Sequence, residues 1–169
     1  MSQAGTVSNR RALIFDLGGV VIDWSPRYLF DKLVADPGQL NRFLTEVCPP
    51  WWNIELDRGL PFEDAVRERS EAYPEWAPYI EAYWRRWAEM LGGLMPGMPE
   101  LLAELRAAGA PHYAITNWSA ETFPLARDRY PLLGVFDGAV LVSGEVGLVK
   151  PDPEIFELAL DRFGLSREN

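Results

Sequence analysis

Three short stretches of this chain carry side chains able to do chemistry. Ala12-Leu13-Ile14-Phe15 is an apolar run that ends on Asp16 and then, after Leu17, on Gly18 and Gly19. His112-Tyr113-Ala114-Ile115 is a second run, ending on Thr116 and Asn117, and Gly147-Leu148-Val149-Lys150-Pro151 sets a lysine just before a proline-rich helix start. A carboxylate, a hydroxyl donor and a cation, each placed after a strand or beside a helix, suit attack by Asp16 on an anionic substrate. In open α/β sheets ligands sit in the crevice beyond the carboxyl ends of the strands. The two glycines let the backbone turn sharply and approach a ligand closely, which makes Gly19 a candidate for substrate binding. A buried strand closed by a capping Asp and a tight turn is the alternative reading of the first stretch.

The elements that must position these groups are legible. Residues 12–15 and 112–116 read as short buried strands, with a further strand around 138–142. Met98, Leu101, Leu102 and Leu105 mark the apolar face of a helix that Gly109 stops. A helix is expected around 120–129, and another over 153–163 with Asp152 as N-cap, Pro153 in its first turn and Gly164 closing it. Strands alternating with helices predict a Rossmann-like, mostly parallel sheet covered on both faces. Between residues 26 and 95 strand character is lost, and six of the seven tryptophans lie between Trp24 and Trp87. Trp76, Ile80, Tyr83, Trp84, Trp87 and Leu91 recur at helical spacing. A helix core explains that stripe more simply than a substrate-facing aromatic wall. Met95-Pro96-Gly97-Met98-Pro99 then punctuates the return to the α/β core. The expected division is an α/β core of residues 1–25 and 96–169, with a helical cap of residues 26–95.

Taken together and in this order, Phe15-Asp16, Thr116-Asn117 and Lys150-Pro151 resemble the three leading motifs of the haloacid dehalogenase-like superfamily, over residues 12–163. The resemblance implies an all-helical cap that closes over the site and selects the substrate. It implies that Asp16 attacks phosphorus to form an aspartyl-phosphate that water then cleaves. Thr116 would donate to the transferring phosphoryl group and Lys150 would neutralise it. Mg²⁺ would be held by the Asp16 carboxylate and the Gly18 backbone carbonyl. Asn117 would orient the loop after its strand, or simply turn the chain at the strand's end. Arg58, in the charged turn Leu56-Asp57-Arg58-Gly59, could reach a substrate anion, against a solvated turn arginine as the plainer reading. Trp24 and Trp118 are candidates to stack on a substrate ring, or else packing residues.

Two departures from the family pattern bear on function. Most phosphatases of the family carry an Asp two residues after the nucleophile as general acid, and here that position is Gly18. A general acid contributes about 10²–10⁴-fold, so esters with poor leaving groups suffer most from its loss. The Asp-Leu-Gly start, the Asp-Arg-Gly turn and Thr116-Asn117-Trp118 resemble a subgroup acting on sugar phosphates. Asp23 is read as pinning the cap linker. The second departure is the missing fourth motif, an acidic pair after a further strand. The chain ends at Leu165-Ser166-Arg167-Glu168-Asn169, where that strand would begin. By the family's strand order residues 12–15 are then an exposed apolar edge, which soluble proteins avoid, so self-association is expected. A longer natural protein is the favoured explanation; a strand-exchanging partner and an inactive relative are the others.

Bulk properties fit an ordinary enzyme. The 169 residues are 48% hydrophobic, enough for a real core, with a net charge of −9. That charge argues against nucleic acid or an anionic membrane as partner and requires a local positive site for an anionic substrate. Cys48 is the single cysteine, without a partner for a disulfide, and reads as a structural thiol. Residues 1–11 are polar and read as a loose leader rather than a signal peptide, so the cytoplasm is expected. The expected activity is a Mg²⁺-dependent phosphatase acting on a small phosphorylated metabolite, most simply a sugar phosphate. A 2-haloacid dehalogenase using Asp16 without metal and a catalytically impaired binding or scaffold relative are the alternatives.

Overall fold

The computed structural model describes residues 11–168. The polar leader expected over residues 1–11 therefore lies, apart from Arg11, outside the described residues. Three parallel strands make the core sheet: β1 (Leu13–Phe15), β4 (His112–Thr116) and β5 (Val140–Val142), in the order β1-β4-β5. The register sets Phe15 beside Ala114 and Thr116 beside Val142, so Asp16, Asn117 and Ser143 leave the sheet at the same end. Alternation along β4 sends Ile115 and Tyr113 to one face, where helix α9 (Pro153–Phe163) covers them with Ile155, Ala159 and the stacked ring of Phe163. The opposite face carries Ala114 and is closed by α6 (Met98–Ala107) and α7 (Phe123–Arg129) through Leu102 and Ala126, and by the 3-10 helix Pro131–Phe136 through Leu133 and Phe136. A parallel sheet dressed on both faces is what the strand–helix alternation predicts.

Glycines end these helices as expected. Gly109 follows α6 at φ +60°, and Gly164 closes α9 at φ +64°. Asp152 does stand at the N-cap position of α9, but its carboxylate makes no cap bond. It pairs instead with Arg58 at 3.2 Å, because a charge-assisted partner competes better for a carboxylate than a backbone N–H does.

Between β1 and α6 runs the helical insert, entered by β2 (Ile22–Trp24) and left by β3 (Leu91–Leu94), which pair antiparallel. The insert holds α1 (Arg27–Leu33), α2 (Pro37–Arg42), α3 (Pro50–Asp57), α4 (Phe62–Ala72) and α5 (Ala77–Arg85). Strand β3 corrects the helical reading of residues 76–91. Two consecutive glycines, Gly92 and Gly93, are poor helix formers, and the chain leaves the α-helical path after Arg85, passes through a 3-10 helix at Trp87–Met90 and then pairs with β2. A Cβ at Gly92 would lie 2.6 Å from both the Asp23 carboxylate and the Tyr28 ring. Tyr28 of α1 donates its hydroxyl to that carboxylate, tying the entry strand to the first helix.

The aromatic stripe is mostly core. Trp76, Ile80 and Tyr83 are buried, with Trp52 edge-on to Tyr83 at 5.1 Å and Phe43 tilted against Phe30 at 4.5 Å. Cys48 is buried among them and its thiol is pushed up by burial, which fits a structural thiol. At the far side of the sheet β1 has one neighbour among the described residues, β4, and its Leu13 and Ile14 are 40% and 44% exposed. Among the described residues no helix is long and apolar enough to cross a membrane.

Candidate functional site

The strand ends and the insert together enclose a cavity of about 180 Å³. From the core, Asp16, Gly18, Asn117, Trp118 and Lys150 line it; from the insert and its entry strand come Trp24, Asn53, Asp57 and Trp87. All three chemistry-bearing stretches of the sequence therefore meet at one place.

Asp16 follows β1 directly. Its Oδ1 accepts the Leu17 N–H at 2.7 Å, and its Oδ2 lies 2.6 Å from Lys150 Nζ. Lysine at this point is placed by Asn117, which follows β4. The Asn117 amide donates to the Lys150 carbonyl at 2.9 Å and accepts the Lys150 N–H at 2.7 Å. Asn117 is thus a brace for the lysine loop as well as a wall of the cavity. Among the residues lining the cavity, Lys150 supplies the positive charge that an anion needs against the protein's net charge of −9.

Thr116, the last residue of β4, is fully buried beside Asn117, is not itself among the residues lining the cavity, and its hydroxyl makes no hydrogen bond within the described protein. Native proteins rarely leave a buried hydroxyl unpaired, so this is a donor in want of a partner. The indole N–H groups of Trp24 and Trp118 are in the same condition, and both rings line the cavity. Gly19 stands apart. Its φ of +76° makes the turn, and its N–H is given to the Ile22 carbonyl at 2.8 Å. Gly19 is exposed and is not among the residues lining the cavity. Arg58 also lies off the cavity wall, held by Asp152 in a link between insert and core.

The site also contains residues that the sequence reading passed over. Asn53 and Asp57 are one turn apart on α3, and Asn53 Nδ2 donates to Asp57 Oδ2 at 2.9 Å. Tyr83, fully buried, donates to Asn53 Oδ1 at 2.9 Å. Burial pushes the Asp57 carboxyl up to about 7, against the opposing pull of a Ser119 backbone N–H and of Asn53. Its place at the carboxyl end of α3 also disfavours a negative charge. The signal available beforehand was Asn53 and Asp57 at i, i+4, flanking the buried face of Trp52 and Leu56. Trp87 completes the aromatic wall and packs on Trp118 at 5.6 Å.

Insert and core are clasped beside the cavity by Ser143, the first residue of α8 (Ser143–Val146). Its hydroxyl accepts the Trp118 N–H at 2.8 Å and donates to the Asp57 carbonyl at 2.6 Å. Gly144 permits this approach: a Cβ there would meet Ala120 N at 2.5 Å and the Trp118 carbonyl oxygen at 2.8 Å.

For a metal, Asp16 brings a carboxylate to the cavity, and the backbone of Gly18 lines the same wall. Among the described residues no group of three His, Cys, Asp or Glu side chains converges. Hard oxygen donors in so small a number fit Mg²⁺, which keeps several waters and takes one or two carboxylates plus substrate oxygens. They do not fit zinc or another metal that needs nitrogen or sulfur ligands.

The chain is similar to known phosphatases and hydrolases. The chain is 29% identical over 158 residues to a sesquiterpene phosphatase of Aspergillus oryzae, covering 92% of this chain and 76% of that one. It is 33% identical over 109 residues to a phosphoserine phosphatase of Thermus thermophilus, covering 63% of this chain and 42% of the relative. Its fold matches a haloacid dehalogenase family enzyme of Bacteroides thetaiotaomicron, solved with magnesium and inorganic phosphate, at a TM-score of 0.69 and 18% identity. That match covers 93% of this chain and 80% of the other. The model of the haloacid dehalogenase-like hydrolases matches residues 10–169, and the chain belongs to that family.

Proposed function

We propose that this chain is a Mg²⁺-dependent phosphatase that cleaves a small phosphorylated metabolite, most simply a sugar phosphate, through an aspartyl-phosphate on Asp16. The observation that carries the reading is the Asp16–Lys150 pair at 2.6 Å in the wall of a cavity walled by three tryptophans. Asp16 is the nucleophile. Lys150 neutralises the phosphoryl oxygens, and the unpaired Thr116 hydroxyl donates to one of them. Mg²⁺, held by Asp16 and the Gly18 carbonyl, supplies further charge neutralisation when bound.

The helical insert acts as a lid. Excluding water strengthens the charge interactions beneath it. Trp24, Trp87 and Trp118 offer flat apolar faces to a sugar ring, and the indole N–H groups of Trp24 and Trp118 offer donors to its hydroxyls. At about 180 Å³ the cavity falls below the roughly 300–1,000 Å³ of drug-sized ligand sites, which supports a small substrate. Pairing of the exposed edge of β1 between copies of the chain belongs to the same proposal.

The test is phosphate release from a panel of sugar phosphates, phosphoserine and nucleotides, with Mg²⁺ and with chelator, beside halide release from a 2-haloacid. Turnover of a sugar phosphate that chelation abolishes is the expected result. Halide release that survives chelation would replace this reading with the dehalogenase.

A further inference from the structure

Cleavage of a phosphate monoester expels an alkoxide, and an alkoxide at neutral pH needs a proton. The titratable side chains lining the cavity are Asp16, Lys150 and Asp57. Asp16 and Lys150 are committed to each other at 2.6 Å. Asp57 faces the same cavity from the insert and is held from several directions. Asn53 Nδ2 fixes one carboxyl oxygen at 2.9 Å, and Asn53 is itself fixed by the buried Tyr83 hydroxyl at 2.9 Å. The Ser143 hydroxyl fixes the Asp57 main chain at 2.6 Å.

We infer that Asp57 is the general acid of this active site, delivering the leaving-group proton from the helical insert in place of a carboxylate at position 18. The inference rests on the phosphatase reading. As an Asp16 oxygen bonds to phosphorus, the ester P–O bond breaks and its electron pair stays on the departing oxygen, which takes the Asp57 proton. The alcohol leaves and Asp57 is a carboxylate. A water then attacks the aspartyl-phosphate and gives its proton to Asp57. The P–O bond to Asp16 breaks, the Asp16 carboxylate is restored, and phosphate is released.

Protonation at neutral pH has a physical basis. Burial raises this carboxyl to about 7, the Ser119 N–H and Asn53 opposing, and a general acid works best near the operating pH. The charged and titratable groups around it are the Asp16–Lys150 pair across the cavity, the Tyr83 hydroxyl behind Asn53, and Arg58 beside it. Arg58 is already turned to Asp152 at 3.2 Å, so no cation pairs with the Asp57 carboxyl among the described residues.

The experiment measures kcat/KM, which reports the steps through leaving-group departure, for phenyl, 4-chlorophenyl and 4-nitrophenyl phosphate with wild type and Asp57→Asn. Phenyl phosphate, whose leaving group needs the proton most, is expected to fall about 10²–10⁴-fold in the variant. The fall for 4-nitrophenyl phosphate is expected to be much smaller, so the dependence on leaving group steepens. An equal fall for all three esters, or none, overturns the assignment while leaving the phosphatase standing. Absence of phosphate release from every ester by the wild type overturns the phosphatase reading and this inference with it. Should the variant not fold, the wild type alone decides. Its phenyl phosphate profile must lose activity as pH rises through about 7, with 4-nitrophenyl phosphate less affected; identical profiles overturn the assignment.

Discussion

Asn117 and Lys150 exchange two hydrogen bonds across 33 positions of sequence, with the amide accepting the lysine N–H at 2.7 Å and donating to its carbonyl at 2.9 Å. The side chain of one strand-end residue thus takes the place of a backbone partner for the loop that carries the cation. Asn117→Ala leaves both groups short of a partner, at a cost of about 1–2 kcal/mol for a partly buried pair. A displacement of about 1 Å in a catalytic group can cost about 10²-fold. The variant is expected to melt lower and to lose about 10–100-fold in kcat/KM, measured by calorimetry and phosphate release. Wild-type turnover in the variant would show that Lys150 is placed without the brace.

Asp57 makes stability depend on pH. Its carboxyl rises on folding from an ordinary 3.8 to about 7, so the folded state holds the proton more tightly than the unfolded one. Stability contributed by this group is complete below about 3.8 and is lost as pH rises towards 7. Asp57→Asn removes the charge and should therefore melt higher than wild type at pH 8, by about 1–3 kcal/mol after allowing for water in the cavity. That gain should vanish near pH 4. A gain that is constant across this range would mean the group is not held neutral by the fold.

The joint between insert and core rests on a glycine. A methyl group at Gly144 would lie 2.5 Å from Ala120 N, and neither loop can yield without moving Trp118 or Asp57. Gly144→Ala is expected to destabilise by about 1–3 kcal/mol, read as a lower urea midpoint with unchanged slope. An unchanged midpoint would show that the two loops are looser than their contacts imply.

On the side of β1 that no strand covers among the described residues, Leu13 and Ile14 are 40% and 44% exposed. Apolar unpaired edges recruit other strands, and lysine on an edge blocks this. Sedimentation of the wild type should show mass rising with concentration, and Ile14→Lys should hold the chain monomeric. Equal behaviour of the two would remove the edge from the account.

Much of this was legible because the strand-end motifs are short, local and chemically distinctive. Asp16, Thr116, Asn117 and Lys150 each follow an apolar run or precede a proline, and the fold brings all four to one end of the sheet. What escaped was tertiary. Asp57 and Arg58 are neighbours in one turn, and nothing local decides which faces the cavity. Arg58 reads from sequence as a solvated turn arginine or a group for a substrate anion, and the fold instead pairs it with Asp152, 94 positions away. Strand β3 was hidden in a helical-looking stripe because Trp87 and Leu91 keep the spacing while Gly92 and Gly93 break the helix. Gly19 is a similar case: its N–H goes to the Ile22 carbonyl, a turn bond that no local sequence signal announces.

The central claim is that Asp16 is the nucleophile of a phosphatase. It is tested most directly by comparing Mg²⁺-dependent phosphate release by wild type and Asp16→Asn, with folding of both verified by circular dichroism. The amide keeps an oxygen for the Leu17 N–H but is a far poorer nucleophile, so kcat should fall at least about 10³-fold with the fold intact. Undiminished turnover in a folded Asp16→Asn protein would contradict the account.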